Sequence, residues 1–276
     1  MTLKYYRLKY SFLSLLIGVL IALAGFSCGS SGNSGSNGTG QDPMALNLVT
    51  LYSTVRSITV HVAYEPDAVP FAGAFSDGGQ FWSVLENNLN ALFLGRITKP
   101  DISVPKDLSG MEQISKQAQT SWTTAEIEKL AQSTWDIPQT PTSAEFYVLF
   151  VNGYFKDQSG VNQQIIGLSL GGTSIVCVFK DVINASGYDM LIEEVIEQTT
   201  LVHEFGHTLG LVNDGVPMVT NHEDSEHPHH CTNENCVMFW ENDGSNRNVF
   251  IQKIVDSPSD VIYGPECLND TQSYKP

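Results

Sequence analysis

The sequence has 276 residues, and 42% of them are hydrophobic. This composition suits one globular domain of about 200–250 residues together with a leader segment. The chain is acidic, since 30 Asp and Glu outweigh 14 Lys and Arg and give a formal net charge of −16. A surface of that charge repels phosphate backbones, so the composition argues against nucleic-acid binding.

The start of the chain has the pattern of an export signal. Basic Lys4, Arg7 and Lys9 precede an apolar run over residues 11–26, which is shorter than the roughly 20 residues that a bilayer-spanning helix needs. The run ends just before Cys28, and this junction resembles the lipobox of bacterial lipoproteins. The resemblance implies cleavage before Cys28, acylation of that cysteine and a lipid anchor in the bacterial cell envelope, on the outer membrane and facing the periplasm or the cell surface. A plain cleaved signal peptide and a retained membrane anchor are the alternatives.

The next segment has the composition of a linker. Residues 29–40 are almost wholly Gly, Ser and Asn, which is typical of a tether that cannot bury apolar surface. From about Met44 the composition is that of a globular domain, without a recognisable repeat or second linker. The sequence therefore predicts a signal peptide at 1–27, a lipidated cysteine and tether at 28–43, and a folded domain at 44–276.

Strands and helices are mixed in the first part of the folded domain. Alternating β-branched residues predict a strand at 57–63, and apolar residues at helical spacing predict a helix at 80–94. A second helix is predicted at 123–133, with Thr123 or Thr124 as its N-cap. Three further apolar runs predict strands at 145–151, 165–170 and 173–179, the last two separated by Gly171-Gly172.

The clearest helix follows these strands. Asp189 can cap its N-terminus, and Glu193 lies in the first turn, where the helix dipole favours an acidic side chain. Gly210 is expected to end the helix, because glycine tolerates the left-handed conformation that closes many helices. Beyond Gly210 the sequence predicts little regular structure. The fold class is therefore α+β, with a mixed sheet, one long helix and an irregular C-terminal third.

This long helix contains the sequence His203-Glu204-Phe205-Gly206-His207. Histidines four residues apart lie one helical turn from each other, so both imidazoles can bind one metal ion. Glu204 lies about 100° around the helix from His203, where its carboxylate can hold a metal-bound water without becoming a ligand. The H-E-x-x-H pattern is typical of zinc metallopeptidases. It predicts a Zn²⁺ cofactor with His203 and His207 as ligands and Glu204 as the catalytic base.

Gly210 extends the motif to H-E-x-x-H-x-x-G, and in this the chain resembles the metzincin clan of zinc peptidases. The resemblance implies a metzincin-like catalytic domain: a mixed twisted sheet, a long active-site helix and an irregular C-terminal subdomain with a methionine-containing turn. It also implies that the strand at 165–170 is the edge strand on which substrate lies. The chain departs from the clan at Asn213, where the third ligand is expected, since asparagine is a poor zinc ligand.

A second resemblance supplies a third ligand. The stretch His230-Cys231-x4-Cys236-x-Met238 is similar to the H-C-x4-C-x-M block of archaemetzincins. It implies that His230 is the third zinc ligand, that Met238 belongs to the turn below the metal, and that a loop inserted between Gly210 and His230 precedes both. The family also has a second, structural zinc completed by a downstream C-x-x-C, of which this chain has only Cys267. A single zinc ion is therefore expected.

Other side chains of the inserted loop are alternatives for the third ligand. His222 is the main alternative to His230, because neutral imidazole is the preferred partner of zinc beside two histidines. Asp214 ranks below it, and His227 and His229 are weaker still, since histidines in a polar loop are usually solvated.

The cysteines are expected to form disulfides. Four of them follow Cys28, and an even count in an exported protein favours pairing. Cys231 and Cys236 enclose a short loop and are expected to pair with each other. By elimination this leaves Cys177 with Cys267, unless Cys177 is a buried thiol.

Together these features predict a monomeric, exported zinc endopeptidase, with residues 44–276 as the metallopeptidase domain and a peptide or protein as substrate. Water activated by the metal would attack the peptide bond, with Glu204 as general base. Two alternatives stay open: a non-catalytic surface lipoprotein that keeps zinc as a structural element, and a zinc hydrolase of non-peptide amides. Intact Glu204 argues against the first, because a purely structural zinc site needs no general base.

Overall fold

The computed structural model describes residues 44–75, 78–240 and 261–276. The predicted signal peptide at 1–27 and the tether at 28–43 lie outside these residues. Within the described ranges, no helix combines the length and the apolar character needed to cross a membrane.

The described chain has a mixed α+β fold. Its helices are α1 Leu48–Ser53, α2 Ser83–Leu92, α3 Thr124–Thr134, α4 Lys180–Asn184, α5 Met190–Thr208 and α6 Pro265–Ser273, with a 3-10 turn at Leu108–Gly110. Its strands are β1 Ser57–Tyr64, β2 Asp101–Ser103, β3 Glu112–Gln113, β4 Ser121–Trp122, β5 Ser143–Val151, β6 Tyr154–Asp157, β7 Gly160–Asn162, β8 Gly167–Ser169 and β9 Ile175–Phe179.

The core lies around a mixed sheet with the strand order β2-β1-β5-β9-β8, to which β3 adds beside β1. β1 and β5 pair in parallel over the whole length of β1. β1 alternates between buried and partly buried residues over most of its length, whereas β5 is buried on both faces. A parallel strand that is covered on both faces has a continuously apolar sequence, and this is the pattern that predicted β5.

The two strands predicted around Gly171-Gly172 are present in shorter form. β9 pairs in parallel with β5, and β8 pairs antiparallel with β9 across the turn that contains the two glycines. β8 is thereby the edge strand of the described sheet, and it packs beside α5. The strands β4, β6 and β7 form a separate small sheet.

The two helices predicted in the first part of the folded domain, α2 and α3, are both present. The Thr123 side chain accepts a hydrogen bond from the Glu126 N–H, and the Glu126 carboxylate accepts one from the Thr123 N–H, which is a complete capping box at the start of α3. The helix predicted at 80–94 is α2 and is a few residues shorter. α1 and α4 were not predicted, because helices of six and five residues are too short to show periodicity.

The long helix α5 has the predicted ends. The Asp189 carboxylate accepts a hydrogen bond from the Ile192 N–H at 3.1 Å. After the helix, Gly210 has a φ of 80°, and a Cβ at this position would lie 2.5 Å from the Leu48 side chain. Glycine is therefore required here both for the backbone conformation and for the close packing.

A buried ion pair holds the middle of α5 against α4. The Lys180 ammonium contacts the Glu197 carboxylate, and both side chains are almost completely buried. The other Glu197 oxygen accepts a hydrogen bond from the Phe71 N–H at 2.8 Å. Burial raises the pKa of Glu197 to about 7, against the opposing effect of Lys180. The helix is thus fixed to its neighbours about 1.7 turns before His203.

The C-terminal third is more regular than predicted. Residues 211–239 contain no regular helix or strand, as expected, but α6 follows with Pro265 in its first turn. The buried residues of α6 are Cys267, Asp270 and Thr271. The helix was missed because its buried face lacks the aliphatic residues on which a periodicity argument depends.

Candidate metal centre

Two histidines of α5 face the same point. His203 is 1% exposed and His207 is partly exposed. Their Nε2 atoms lie 3.0 Å apart, and the two rings make an angle of 75°. This arrangement is what residues i and i+4 of a helix produce.

The orientation of His203 is set by the chain below the helix. Its Nδ1 lies 2.7 Å from the carbonyl oxygen of Val237, to which it donates a hydrogen bond. This contact places the ring proton on Nδ1 and the lone pair on Nε2, the nitrogen that faces His207.

His230, which directly follows the inserted loop, reaches the same point. The centre of its ring lies 5.3 Å from that of His203 and 5.0 Å from that of His207. Its Nδ1 lies 3.0 Å from the carbonyl oxygen of Pro228, so Nε2 is again the nitrogen that carries the lone pair. One ring nitrogen from each of the three residues falls within 4.8 Å of the others. The three imidazoles selected from the sequence therefore meet at one place.

The donor set fits a zinc ion. Two nitrogens bound to one tetrahedral zinc lie about 3.3 Å apart. This is close to the 3.0 Å between Nε2 of His203 and Nε2 of His207. Three protein ligands also leave a fourth position for water, as catalytic zinc sites do. The residues present thus suit the metal that the motif implies.

A cavity of about 340 Å³ opens beside the three histidines. Residues 165–169, which include β8, form one wall, and Thr200, Glu204 and His207 of α5 form another. Glu204 is 5% exposed. A Cβ at Gly167 would lie 2.5 Å from Thr200 Cγ2 and 2.9 Å from Glu204 Cγ. The absence of a side chain at this position therefore lets the edge strand approach the helix that carries the acid.

A methionine lies directly below the helix. A Cβ at Gly206 would fall 2.2 Å from Met238 Sδ, so these two residues are in close contact. The Met238 carbonyl oxygen accepts a hydrogen bond from the Cys231 N–H at 2.7 Å, which closes a turn between them. Met238 is fully buried. The turn thus supports the part of α5 between His203 and His207.

No protein-family model matches this chain, and no curated protein matches it significantly. Among solved structures, the chain is similar to the crystal structure of a zinc-dependent peptidase from Methanocorpusculum labreanum (strain Z), at 12% sequence identity and a TM-score of 0.42. The similarity covers 77% of this chain and 99% of that one. At this identity the function has to be argued from the residues of this chain itself.

His222, the main alternative for the third ligand, lies in a different place. It is 5% exposed, with Nδ1 3.2 Å from Cys231 Sγ and Nε2 2.7 Å from Asp270 Oδ2. The ring of His227 stacks on Trp240 at a centroid distance of 3.9 Å. Neither imidazole belongs to the group formed by the other three histidines.

The remaining loop candidates lie at the rim of the cavity. His229 Nδ1 is 3.9 Å from an Asp214 carboxylate oxygen, and both residues line the cavity. Burial raises the pKa of Asp214. Asn213, which stands in the usual ligand position of the clan, has a φ of 63°, and its side chain donates a hydrogen bond to Glu223 at 3.2 Å. Asn213 therefore contacts the loop rather than the histidines.

The predicted disulfides are not formed. Cys177, Cys231, Cys236 and Cys267 are all thiols. Cys177 lies within β9, where burial raises the pKa of its thiol and so keeps it unreactive. The pairing by elimination was wrong because it ignored α6, which brings Cys267 to 3.5 Å from Cys236.

Sequence reasoning missed two groups that orient imidazoles. The Val237 carbonyl holds His203, and a backbone carbonyl leaves no signal in the sequence. Asp270 holds His222 and lies three residues after Cys267 on α6. Had that helix been predicted, the i,i+3 spacing would have placed Asp270 and Cys267 on the same face.

Proposed function

We propose that this protein is a zinc-dependent endopeptidase of the metzincin type that resembles archaemetzincins. The observation that carries the proposal is the meeting of His203, His207 and His230 beside Glu204 in one open cavity. A structural zinc site is closed by four protein ligands, whereas three ligands next to a carboxylate suit catalysis.

His203, His207 and His230 would each hold the ion through one ring nitrogen. Zinc bound there supplies a water of lowered pKa and polarises the carbonyl group that is attacked. Glu204 accepts a proton from the attacking water and then donates it to the leaving amine nitrogen. The hydrogen bond from His203 to Val237 keeps that ring in the tautomer a metal requires.

The edge strand supports a peptide as substrate. β8 lies at the edge of the sheet and lines the cavity together with Glu204. An extended peptide that pairs with β8 gains affinity from main-chain hydrogen bonds, and side-chain pockets add selectivity. This arrangement favours an endopeptidase over a hydrolase of small non-peptide amides.

We further propose that the protein is a monomeric, exported lipoprotein anchored to the bacterial cell envelope through Cys28. The support for this is the sequence pattern alone: a basic start, an apolar run, the lipobox-like junction and the Gly/Ser-rich segment that follows.

The test of the catalytic proposal is Glu204→Gln in the full-length protein. The variant should keep its zinc and its circular dichroism spectrum but lose on the order of a hundredfold or more in kcat/KM, because only the general base is removed. Zinc content is measured by elemental analysis, and cleavage is measured on a library of unstructured peptides. Glu193→Gln is the matched control, since this residue lies in the first turn of the same helix and should tolerate the change.

Two results would count against the proposal. Full activity of Glu204→Gln would remove the acid from the mechanism. A wild-type protein that holds zinc but cleaves no peptide of the library would favour the non-catalytic lipoprotein instead.

A further inference from the structure

A second group of ligand-type side chains lies away from the three histidines. It consists of Cys231, Cys236, Cys267 and His222. The three cysteines are fully buried, and His222 is 5% exposed. These residues come from three segments: the inserted loop, the turn that contains Met238, and α6.

Within this group the three sulfurs contact one another, and His222 contacts Cys231. The Sγ atoms of Cys236 and Cys267 lie 3.5 Å apart, and Cys231 Sγ contacts both. His222 Nδ1 lies 3.2 Å from Cys231 Sγ. The donor atoms of His222, Cys231 and Cys267 all fall within 4.8 Å of one another. In a tetrahedral zinc site, two sulfurs lie about 3.8 Å apart, and a sulfur and a nitrogen about 3.5 Å.

A disulfide would not satisfy this group. A bond between any two of the cysteines leaves the third thiol buried beside an imidazole, whereas one metal ion uses all four donors. Backbone groups are also directed at the sulfurs. The Asn233 N–H donates to Cys231 Sγ at 3.4 Å, and the Gly264 N–H donates to Cys236 Sγ at 3.1 Å. Both sulfurs are therefore hydrogen-bond acceptors, as the sulfur ligands of a metal site commonly are.

The orientation of His222 points to the same conclusion. Its Nε2–H donates to the buried carboxylate of Asp270 at 2.7 Å, which leaves Nδ1 directed at Cys231. The other Asp270 oxygen accepts a hydrogen bond from the Val219 N–H at 2.7 Å, so the carboxylate is itself held in place. Histidines that bind metal usually donate their second nitrogen to a carboxylate or carbonyl in this way.

We propose that Cys231, Cys236, Cys267 and His222 bind a structural zinc ion, with Asp270 orienting the histidine. The sequence predicted a single zinc because one cysteine of the family pattern is missing. The fourth donor is a histidine of the inserted loop, which the family pattern does not contain. The site joins that loop to α6, and Cys231 directly follows His230. It therefore also determines where His230 enters the candidate metal centre. The inference does not depend on the proposed peptidase activity.

The test isolates this site in a full-length His203→Ala/His207→Ala variant, which leaves the four donors unchanged. After reconstitution with cobalt, the variant should bind about one ion per chain with intense near-ultraviolet thiolate-to-cobalt absorption. The wild-type protein should bind about two ions of either cobalt or zinc. Adding His222→Ala should weaken the affinity for cobalt at least tenfold, whereas His222→Cys should retain the absorption. Cys177→Ala is the matched control and should change neither the affinity for cobalt nor the absorption, because Cys177 lies outside the group.

A measurement on the unmutated chain guards against misfolding of the variants. In the zinc-loaded wild-type protein, Cys231, Cys236 and Cys267 should resist alkylation until a chelator is added. The proposal is overturned if the His203→Ala/His207→Ala variant binds cobalt without thiolate absorption. It is also overturned if mass spectrometry of the native protein finds a disulfide among the three cysteines. Both readouts are independent of catalysis, so a failure of the proposed peptidase function leaves them unaffected.

Discussion

His222 lies in the inserted loop and His230 directly follows it, but the two side chains face different groups. The ring of His230 lies against those of His203 and His207. The ring of His222 is buried between Cys231 and Asp270. The sequence left both histidines open as the third ligand, because spacing along a loop does not determine where its side chains point. Their partners in the structure distinguish them.

Substitution of the two histidines should therefore have unequal effects on the catalytic zinc. We expect His230→Ala to weaken its binding at least tenfold, or about 1.4 kcal/mol, because only two ligands remain. His222→Ala should weaken zinc binding at the candidate metal centre much less. The measurement is chelator competition with peptidase activity as the readout, so that only the catalytic ion is followed. A larger loss from His222→Ala than from His230→Ala would contradict the role of His230 as the third ligand.

At the scale of elements, α5 is in close contact with the turn below it and with the strand beside it. Gly206 permits the contact with Met238, and Gly167 permits the approach of β8 to Thr200 and Glu204. Neither glycine has a positive φ. Glycine is therefore not needed at these positions for its conformational freedom. It is needed because any larger residue would clash with a neighbouring side chain.

The contact below the helix can be tested with Gly206→Ala. In an exposed helix this change stabilises by about 1 kcal/mol, because alanine has the higher helix propensity. Here the added methyl group meets Met238 Sδ at 2.2 Å. We expect a net destabilisation of about 1–3 kcal/mol, as for other overpacked cores, measured by denaturant unfolding. In a double-mutant cycle, Met238→Ala should cost less in the Gly206→Ala background than in the wild type. A stabilised Gly206→Ala protein would contradict this packing.

The contact beside the helix can be tested with Gly167→Ala. The new methyl group would lie 2.5 Å from Thr200 Cγ2 and 2.9 Å from Glu204 Cγ, so either β8 or the acid has to move. We expect kcat/KM to fall on the order of tenfold or more, since small displacements of catalytic groups are costly, while zinc content is unchanged. Adding Thr200→Ser removes the closest clash and should restore part of the activity. Gly171→Ala is the control, because a Cβ there meets no atom within 4 Å. Equal activity of the two single variants would argue against a role of this contact.

At the scale of the whole molecule, the sequence predicted the features that depend on short-range patterns of residues. The alternation of β1, the start of α3 and the caps of α5 depend on residues close together in the chain, and all three were predicted. The partners of Cys267 were not predictable in this way. They depend on α6 folding back onto the turn at Cys236, and short-range patterns carry no information about such contacts.

The predicted anchor concerns how the whole protein is held in the cell. Acylation of Cys28 should place the full-length protein in the detergent phase of a phase-separation assay, since each buried methylene of an acyl chain contributes about 0.8 kcal/mol. Cys28→Ser should move the protein to the aqueous phase and remove the acyl mass from its N-terminal peptide. Cys177→Ala is the matched control, because this cysteine is buried in β9 and inaccessible to acylation. The Cys177→Ala variant should therefore partition like the wild type. If Cys28→Ser stays in the detergent phase, the lipid anchor is wrong, and the apolar run at residues 11–26 is itself the anchor.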